Sequence, residues 1–408
     1  MPVPPSQSPG GDLPTAEHWL DADRLRLYSR TVLVLYVLLT AIWIALVDDG
    51  LAPNSKPLGE DFIAFWSAAR LALDGSPQAA YDLVRLFEVQ QALFPALRQP
   101  NAWQYPPGFL LLVMPLALLP YLTGYLLFTL STFAAFAALL RRIVPAGAGL
   151  LLLAFPGTYQ NALHGQNGFL TAALIGAGLY WLPVRPLLAG AMFGLLSIKP
   201  HLGLLLPVAL LAGRHWRALA AAGLTALLLL LVSLAVLGVE VLPAFLARLP
   251  VVADWVASNA LPLNKMPTLF SFARLLDAPV PFAYGLQALG ALAVIAATGW
   301  LWSRREVAPD LKAAALVAGS LLISPYLYDY DLVWLALPLA WYGGHALRHG
   351  WHRGEREWLL AMWLLPALVA PLFAVLRIQL APLLLFGFFI LIVRRALADG
   401  AGIVPAGR

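Results

Sequence analysis

The chain has 408 residues, of which 61% are hydrophobic and only 12% charged, and its mean hydropathy is +0.78. A soluble domain averages about 45–50% apolar and about 25% charged residues, so a soluble enzyme and a disordered chain are both excluded. The net charge of +5 comes from basic residues scattered at the ends of apolar runs, which excludes a nucleic-acid binder, and the absence of cysteine excludes disulfides, thiolate metal sites and thiol nucleophiles.

Residues 1–30 are polar, carry both signs of charge and include early prolines, which predicts a cytoplasmic tail rather than a cleaved leader. The apolar run at 31–47 reads as a retained anchor, because Asp48-Asp49-Gly50 follows it instead of a small-residue cleavage site. A spanning helix needs about 20 apolar residues. Runs near or below that size continue at 121–140, 148–162, 168–183, 186–198, 202–213, 218–237, 281–302, 311–323, 332–343, 357–376 and 378–393. The short ones predict half-spans or broken helices lining a cavity. The reading is an all-α, polytopic membrane protein of about 11–13 membrane helices, with one integral domain at 31–396 and a cytoplasmic tail at 397–408.

Basic clusters at Arg141-Arg142, Arg214 with Arg217, Arg304-Arg305, Arg348 to Arg356 and Arg394-Arg395 orient the spans by the positive-inside rule. They place the 48–104 loop, the His164–Asn167 turn, Lys199–His201, the 238–266 loop and Ser324–Asp331 on the outer side. The run at 108–119 is too short to cross and reads as re-entrant or tilted. The first outer loop differs from the rest of the chain, because it carries Asp48, Asp49, Glu60, Asp61, Asp74, Asp82 and Glu88. Within it, 62–73 and 83–97 have helical periodicity, with Phe62, Phe65, Trp66 and Ala69 on one face, and predict amphipathic helices lying on the membrane surface.

Five polar constellations interrupt the apolar pattern. Asp61 opens the first loop helix, either as a cap or as a carboxylate that takes a proton from an incoming hydroxyl. Gln104 and Tyr105 precede Pro106-Pro107 where the chain re-enters the bilayer, a helix entrance whose polar groups are candidate site liners. His164, Gln166 and Asn167 flank Gly165 in a turn suited to binding sugar hydroxyls. Lys199 and His201 flank Pro200 at membrane depth, where a cation marks a functional site by default and suits a phosphate; the competing reading is a snorkelling anchor. Tyr328, Asp329 and Asp331 form a polar wall with tyrosines for stacking. The Asp329-x-Asp331 spacing also fits a divalent cation, although hard-cation sites want more oxygen ligands and no other cofactor is indicated. Asn259, Asn264 and Lys265 read first as a solvated loop.

In this order, the acid after the first span, Tyr105-Pro106-Pro107, the Gly165-Gln166-Asn167 turn, Lys199-Pro200 and the late Ser324-Pro325 segment resemble glycosyltransferase family 87, over about residues 55–345. The resemblance implies a membrane enzyme of the GT-C fold with its site on the outer face of a bacterial-type cytoplasmic membrane. It further implies transfer of a hexose, mannose in its bacterial members, from a polyprenyl-phosphate donor to a lipid- or glycan-linked acceptor with inversion. The family's general base maps onto Asp61. The late segment departs from mycobacterial-type members, which are histidine-rich there, where this chain has Asp329 and Asp331. Competing readings are a flippase or transporter for lipid-linked sugars, disfavoured by the lack of an inverted repeat, and a polymerase or ligase of lipid-linked glycans.

Overall fold

A computed structural model describes residues 19–47, 51, 56–144 and 149–400. Asp48 and Asp49 of the acidic loop, most of the 1–30 tail and most of the 397–408 tail lie outside these residues. Among the described residues the regular secondary structure is helical, apart from one isolated bridge between Leu51 and Pro57.

Helix α1 (Ala22–Ala45) begins inside the expected tail, because the Asp21 side chain accepts from the Arg24 N–H at 2.8 Å and caps it there. Then come α2 (Phe62–Leu73), α3 (Leu83–Leu93), α4 (Pro107–Val113) and α5 (Tyr121–Ile143). Short helices follow: α6 (Gly149–Leu153), α7 (Pro156–His164), α8 (Gly168–Trp181), α9 (Pro186–Leu195), α10 (Pro200–Gly203) and α11 (Leu206–Ala212). Next are α12 (Trp216–Leu237), α13 (Val241–Ala257), α14 (Leu269–Leu275), α15 (Val280–Ser303) and α16 (Pro309–Ser320). A 3₁₀ segment, Asp329–Leu335, leads into α17 (Ala336–His349), and α18 (Glu355–Leu376) and α19 (Ala381–Gly400) complete the order.

The expected run of spans resolves into two kinds of helix. Six described helices, α1, α5, α12, α15, α18 and α19, are long and apolar enough to cross a membrane. Five shorter apolar helices, Phe62–Leu73, Pro107–Leu118, Gly168–Trp181, Pro186–Ile198 and Pro200–Ala212, are not. Proline accounts for much of the shortness: Pro107, Pro186 and Pro200 each stand in the first turn, where the missing N–H costs nothing and the preceding residue is driven out of helix. The run expected at 108–119 is such a case, about three and a half turns split between α4 and the 3₁₀ turn Met114–Leu118. Exposed leucines and valines cover α1 and α12, as lipid-facing helices require. At the far end of α17 from the 3₁₀ segment, Arg395 of α19 is buried against Glu355 of α18 at 3.0 Å, and the same carboxylate accepts from Tyr342 of α17 at 2.7 Å. The basic cluster expected only to set orientation thus also ties the last three helices together.

One loop helix departs from expectation. Only α3 has the two-faced burial of a surface helix, with Leu86 and Gln90 inside, and it stops at Leu93 rather than Leu97. Helix α2 is buried on nearly every side, Ser67 included, because Phe62 and Phe65 insert among Tyr121, Tyr125, Trp103, Tyr105 and Phe109. It is a core element, not a helix lying on the membrane surface.

That insertion sets the site. Gly59 (φ +69°) leads into α2 and Gly165 (φ +66°) ends α7, both in the left-handed region that glycine adopts without strain. They lie on the ring of Tyr125: a Cβ on Gly59 would come 2.6 Å from Tyr125 Cδ2, and one on Gly165 would come 2.7 Å from Phe62 Cβ and 2.9 Å from Tyr125 Cε2. One turn apart on α5, Tyr121 donates its hydroxyl to the Leu58 and Gly59 carbonyls and Tyr125 donates to the Ala162 carbonyl. The two loops are thereby joined, and the Asp61 N–H donates to the His164 carbonyl at 2.9 Å. Gly165→Ala should cost more than the about 1–2 kcal/mol of a left-handed alanine and should visibly lower the melting temperature in detergent. Gly75→Ala is the comparison, since its added Cβ meets nothing within 4 Å; equal losses for the two would refute the packing argument.

Candidate active site

A cavity of about 780 Å³ opens where the first loop, the α7–α8 turn, the start of α10 and the 324–331 segment meet. Asp61, Gln104, Tyr105, His164, Gln166, Lys199, His201, Tyr328 and Asp329 all line it. Residues separated by more than 260 positions are therefore collected on one wall. Asn167 and Asp331 do not line it but stand immediately behind.

Asp61 is the N-terminal flanking residue of α2, yet its side chain makes no capping bond. One carboxylate oxygen instead accepts from Gln166 Nε2 at 3.0 Å. The glutamine amide is itself fixed, because its Oε1 takes the Tyr105 hydroxyl at 3.0 Å and the Asn167 N–H at 3.2 Å, which leaves only NH₂ to face the acid. Burial raises the Asp61 carboxyl above its ordinary value and the neighbouring Glu60 charge adds to this, against the opposing pull of His164, the Gln166 hydrogen bond and Lys56. Glu60 moves the other way. Burial works to raise it, but His164, Lys56 and Lys265 together outweigh that and hold it below its ordinary value. Two adjacent carboxyls with pKa values pushed apart are the pattern that separates a proton acceptor from a permanent charge.

Glu60 gathers basic groups from three parts of the chain: Lys56 Nζ at 2.7 Å, His164 Nε2 at 3.6 Å and Lys265 Nζ at 3.7 Å. Deeper in, Lys199 is only 3% exposed and is already engaged, with Asp331 Oδ1 at 2.5 Å and Asn167 Oδ1 at 3.2 Å. Its ammonium also lies 5.1 Å from the centre of the Tyr330 ring. Tyr328 and Tyr330 stack at 5.2 Å, Tyr326 stands edge-on to Tyr328 at 5.5 Å, and the Tyr326 hydroxyl bonds Gln104 Oε1. His201 faces Tyr326 edge-on at 5.5 Å, and its Nε2 is buried with no hydrogen-bond partner among the described residues.

The two acids of the Asp329-x-Asp331 spacing face different surroundings: Asp329 lines the cavity and accepts its neighbour's Tyr330 N–H at 2.9 Å, while Asp331 is the counter-ion of Lys199. They do not converge as a chelate. Asn259 and Asn264 lie off the cavity, the first accepting from Arg274 and the second giving its carbonyl to Gln379. Lys265, read first as a solvated loop residue, is a wall residue. Tyr326 and Tyr330 belong to the tyrosine wall expected of the 324–331 segment, whereas no site role was expected of Glu60 or Lys56, nor an apolar wall made by Phe245, Leu249, Val252 and Val256 of α13. The spacing of those four, three and four apart, was the available signal.

Lys199 and Asp331 should behave as a unit. Removing one member of a buried pair strands the other charge and typically costs about 3–5 kcal/mol, whereas replacing both with apolar groups is often neutral or stabilising. Lys199→Met should therefore lower the melting temperature sharply and Lys199→Met/Asp331→Leu should restore it. Additive losses in a double-mutant cycle would show that the two residues act separately.

The model of glycosyltransferase family 87 matches residues 103–325, more than half of the 408 positions. The matched stretch holds Gln104, Tyr105, the His164–Asn167 turn, Lys199, His201 and Lys265, all of them in or against the cavity wall, while Asp61, Asp329 and Asp331 fall outside it. No curated protein and no solved structure gave a match. With an all-helical membrane architecture and a polar cavity built around those residues, the chain belongs to glycosyltransferase family 87.

Proposed function

We propose that this membrane glycosyltransferase moves a hexose, mannose on the family resemblance, from a polyprenyl-phosphate donor to a hydroxyl of a lipid- or glycan-linked acceptor, at the outer face of the cytoplasmic membrane. The observation that carries the reading is the Asp61 carboxylate, which lines the cavity, caps nothing and is held at one oxygen by Gln166. In the proposed step the acceptor oxygen attacks the anomeric carbon from the face opposite the phosphate and its proton passes to Asp61. The bond from that carbon to the phosphate oxygen breaks, and its electron pair leaves with the lipid phosphate, so the configuration inverts. The raised carboxyl of Asp61 makes it the better base of the two adjacent acids. Gln104, His164, Tyr328 and Asp329 supply hydrogen bonds to the sugar, and the tyrosine rings supply a stacking face. All of these are cavity-lining groups. The apolar α13 wall suits an isoprenoid tail and a GT-C type of arrangement, in which the donor is drawn from the bilayer.

The direct test supplies purified protein with labelled polyprenyl-phosphate mannose and an extracted acceptor pool. Product formed in detergent, where no barrier exists to cross, excludes a pure transporter. Asp61→Asn keeps the shape and the Gln166 contact but takes no proton. Turnover should fall by roughly 10²–10⁴-fold while the melting temperature holds; near-normal transfer by the folded variant would refute the base assignment.

A pH profile separates the two acids. Asp61 acts deprotonated, so activity falls as pH drops through its raised pKa. Glu60→Gln deletes the like charge that helps to raise it, so the acid limb of kcat against pH should move to lower pH. A limb that stays in place or moves upward would mean that Asp61 is not the titrating base.

A further inference from the structure

Resting on the lipid-phosphate reading above, we infer that the phosphate of the substrate is bound by Lys265, with Lys56 beside it, at the line where the apolar and polar walls of the cavity meet. An amphiphile whose tail lies on one wall and whose sugar lies on the other must put its phosphate at that line. Lys265 occupies it, because it follows α13, which provides the apolar wall, and it reaches Glu60, next to Asp61 on the polar wall.

The charged groups facing this space sort themselves by how far they are committed. Lys199, the cation marked by the sequence, is 3% exposed and neutralised by Asp331 at 2.5 Å. Lys56 is held by Glu60 at 2.7 Å. Lys265 sits farthest from the same carboxylate, at 3.7 Å, with its side chain 34% exposed. The imidazoles of His164 and His201 complete the basic groups on the wall, and Glu60, Asp61 and Asp329 are its acids. In a wall with that many carboxylates an anion is most stable beside the least committed cation, and on these distances that is Lys265.

The lysine is also placed, not merely present. Leu263 and Met266 on either side of it are buried, the Lys265 N–H closes a turn on the Pro262 carbonyl at 2.8 Å, and buried Gln379 donates to the Asn264 carbonyl at 2.7 Å. Glu60 then acts as a tether that keeps both ammonium groups at the rim. The charge arithmetic of the reaction fits a pair. A lipid-phosphate sugar is a phosphodiester with one negative charge, and the departing isoprenyl phosphate gains a second as the bond to the sugar breaks. Cations aimed at that oxygen stabilise the transition state more than the ground state.

The test measures equilibrium binding of farnesyl phosphate, farnesol, inorganic phosphate and a nucleotide sugar to the detergent-purified full chain, with melting temperature as a check on folding. Wild-type protein is expected to prefer farnesyl phosphate to farnesol. Lys265→Ala should weaken farnesyl phosphate by roughly ten- to a hundredfold, the usual scale for a charge-assisted contact, leaving farnesol and the melting temperature unchanged. Lys265→Arg should retain most of the preference, and Lys199→Met/Asp331→Leu should keep it. A preference that survives Lys265→Ala, or that vanishes only in the Lys199→Met/Asp331→Leu variant, overturns the inference, as does a wild-type protein that binds no phosphate probe. Lys265-dependent binding of the nucleotide sugar in place of farnesyl phosphate would support the phosphate site and defeat the lipid-linked donor.

Discussion

The site depends on one backbone hydrogen bond, from the Asp61 N–H to the His164 carbonyl at 2.9 Å. It joins a loop that precedes α2 to a turn between α7 and α8. The join is possible because both loops approach the Tyr125 ring with glycines where any side chain would collide. Tyr121 and Tyr125 then donate to the Leu58, Gly59 and Ala162 carbonyls, the last two of which also accept the Phe62 and Gly165 N–H groups. From this contact follow the Gln166 bond to Asp61, the Tyr105 bond to Gln166 and the position of Glu60 among its cations. A polar site set among apolar helices has to be over-determined in this way, since each unsatisfied group there is expensive.

Electrostatics divide the cavity into a closed interior and an open rim. In the interior Lys199 and Asp331 cancel each other, with Asn167 and the Tyr330 ring completing the lysine's surroundings. Such a pair adds little net stability over an apolar substitute but penalises any arrangement that separates its members. It thereby pins the 329–335 segment, and with it Tyr330 and Asp329, to the start of α10. At the rim one carboxylate is shared among Lys56, His164 and Lys265, closest to Lys56 at 2.7 Å and farthest from Lys265 at 3.7 Å, so Lys265 keeps part of its reach. Adjacent acids can serve different ends only because of this division: Glu60 stays charged among cations, and Asp61, one residue on, is desolvated and made more basic.

The membrane class, the helical architecture and the broken helices were legible because bilayer thickness and proline chemistry act locally on sequence. So was much of the polar wall: a polar group interrupting an apolar run has few places to go other than a cavity. Long-range pairing was not legible. Nothing near Lys199 announces Asp331, 132 positions away, and a lone lysine at membrane depth reads as a free cation until its partner is located. The burial of α2 was hidden for a related reason. Periodicity reports the most apolar face, but Ser67 and Ala64 on the other side are small rather than polar, and small residues let a helix be buried all round. Lys265 was discounted because loop charges are usually solvated, and only the meeting of its loop with Glu60 shows otherwise.

The two walls also bear on the proposal that the site takes its donor from lipid. A nucleotide-linked donor brings a base, a ribose and a diphosphate, and it needs a matching polar surface on every side. Here one side is Phe245, Leu249, Val252 and Val256, contributed by a helix whose outer face carries exposed Leu246. An apolar wall on a helix that is itself partly exposed offers continuity between the cavity and the hydrocarbon outside it. A lipid-linked substrate held there would gain affinity from its tail, and the tail would take no part in bond making. Binding energy of that kind is the same in the ground state and the transition state and cannot raise turnover by itself. The rate must then come from the few polar groups on the opposite wall. That asymmetry explains why those groups are bound to one another so closely while the apolar wall is made by a single loop helix.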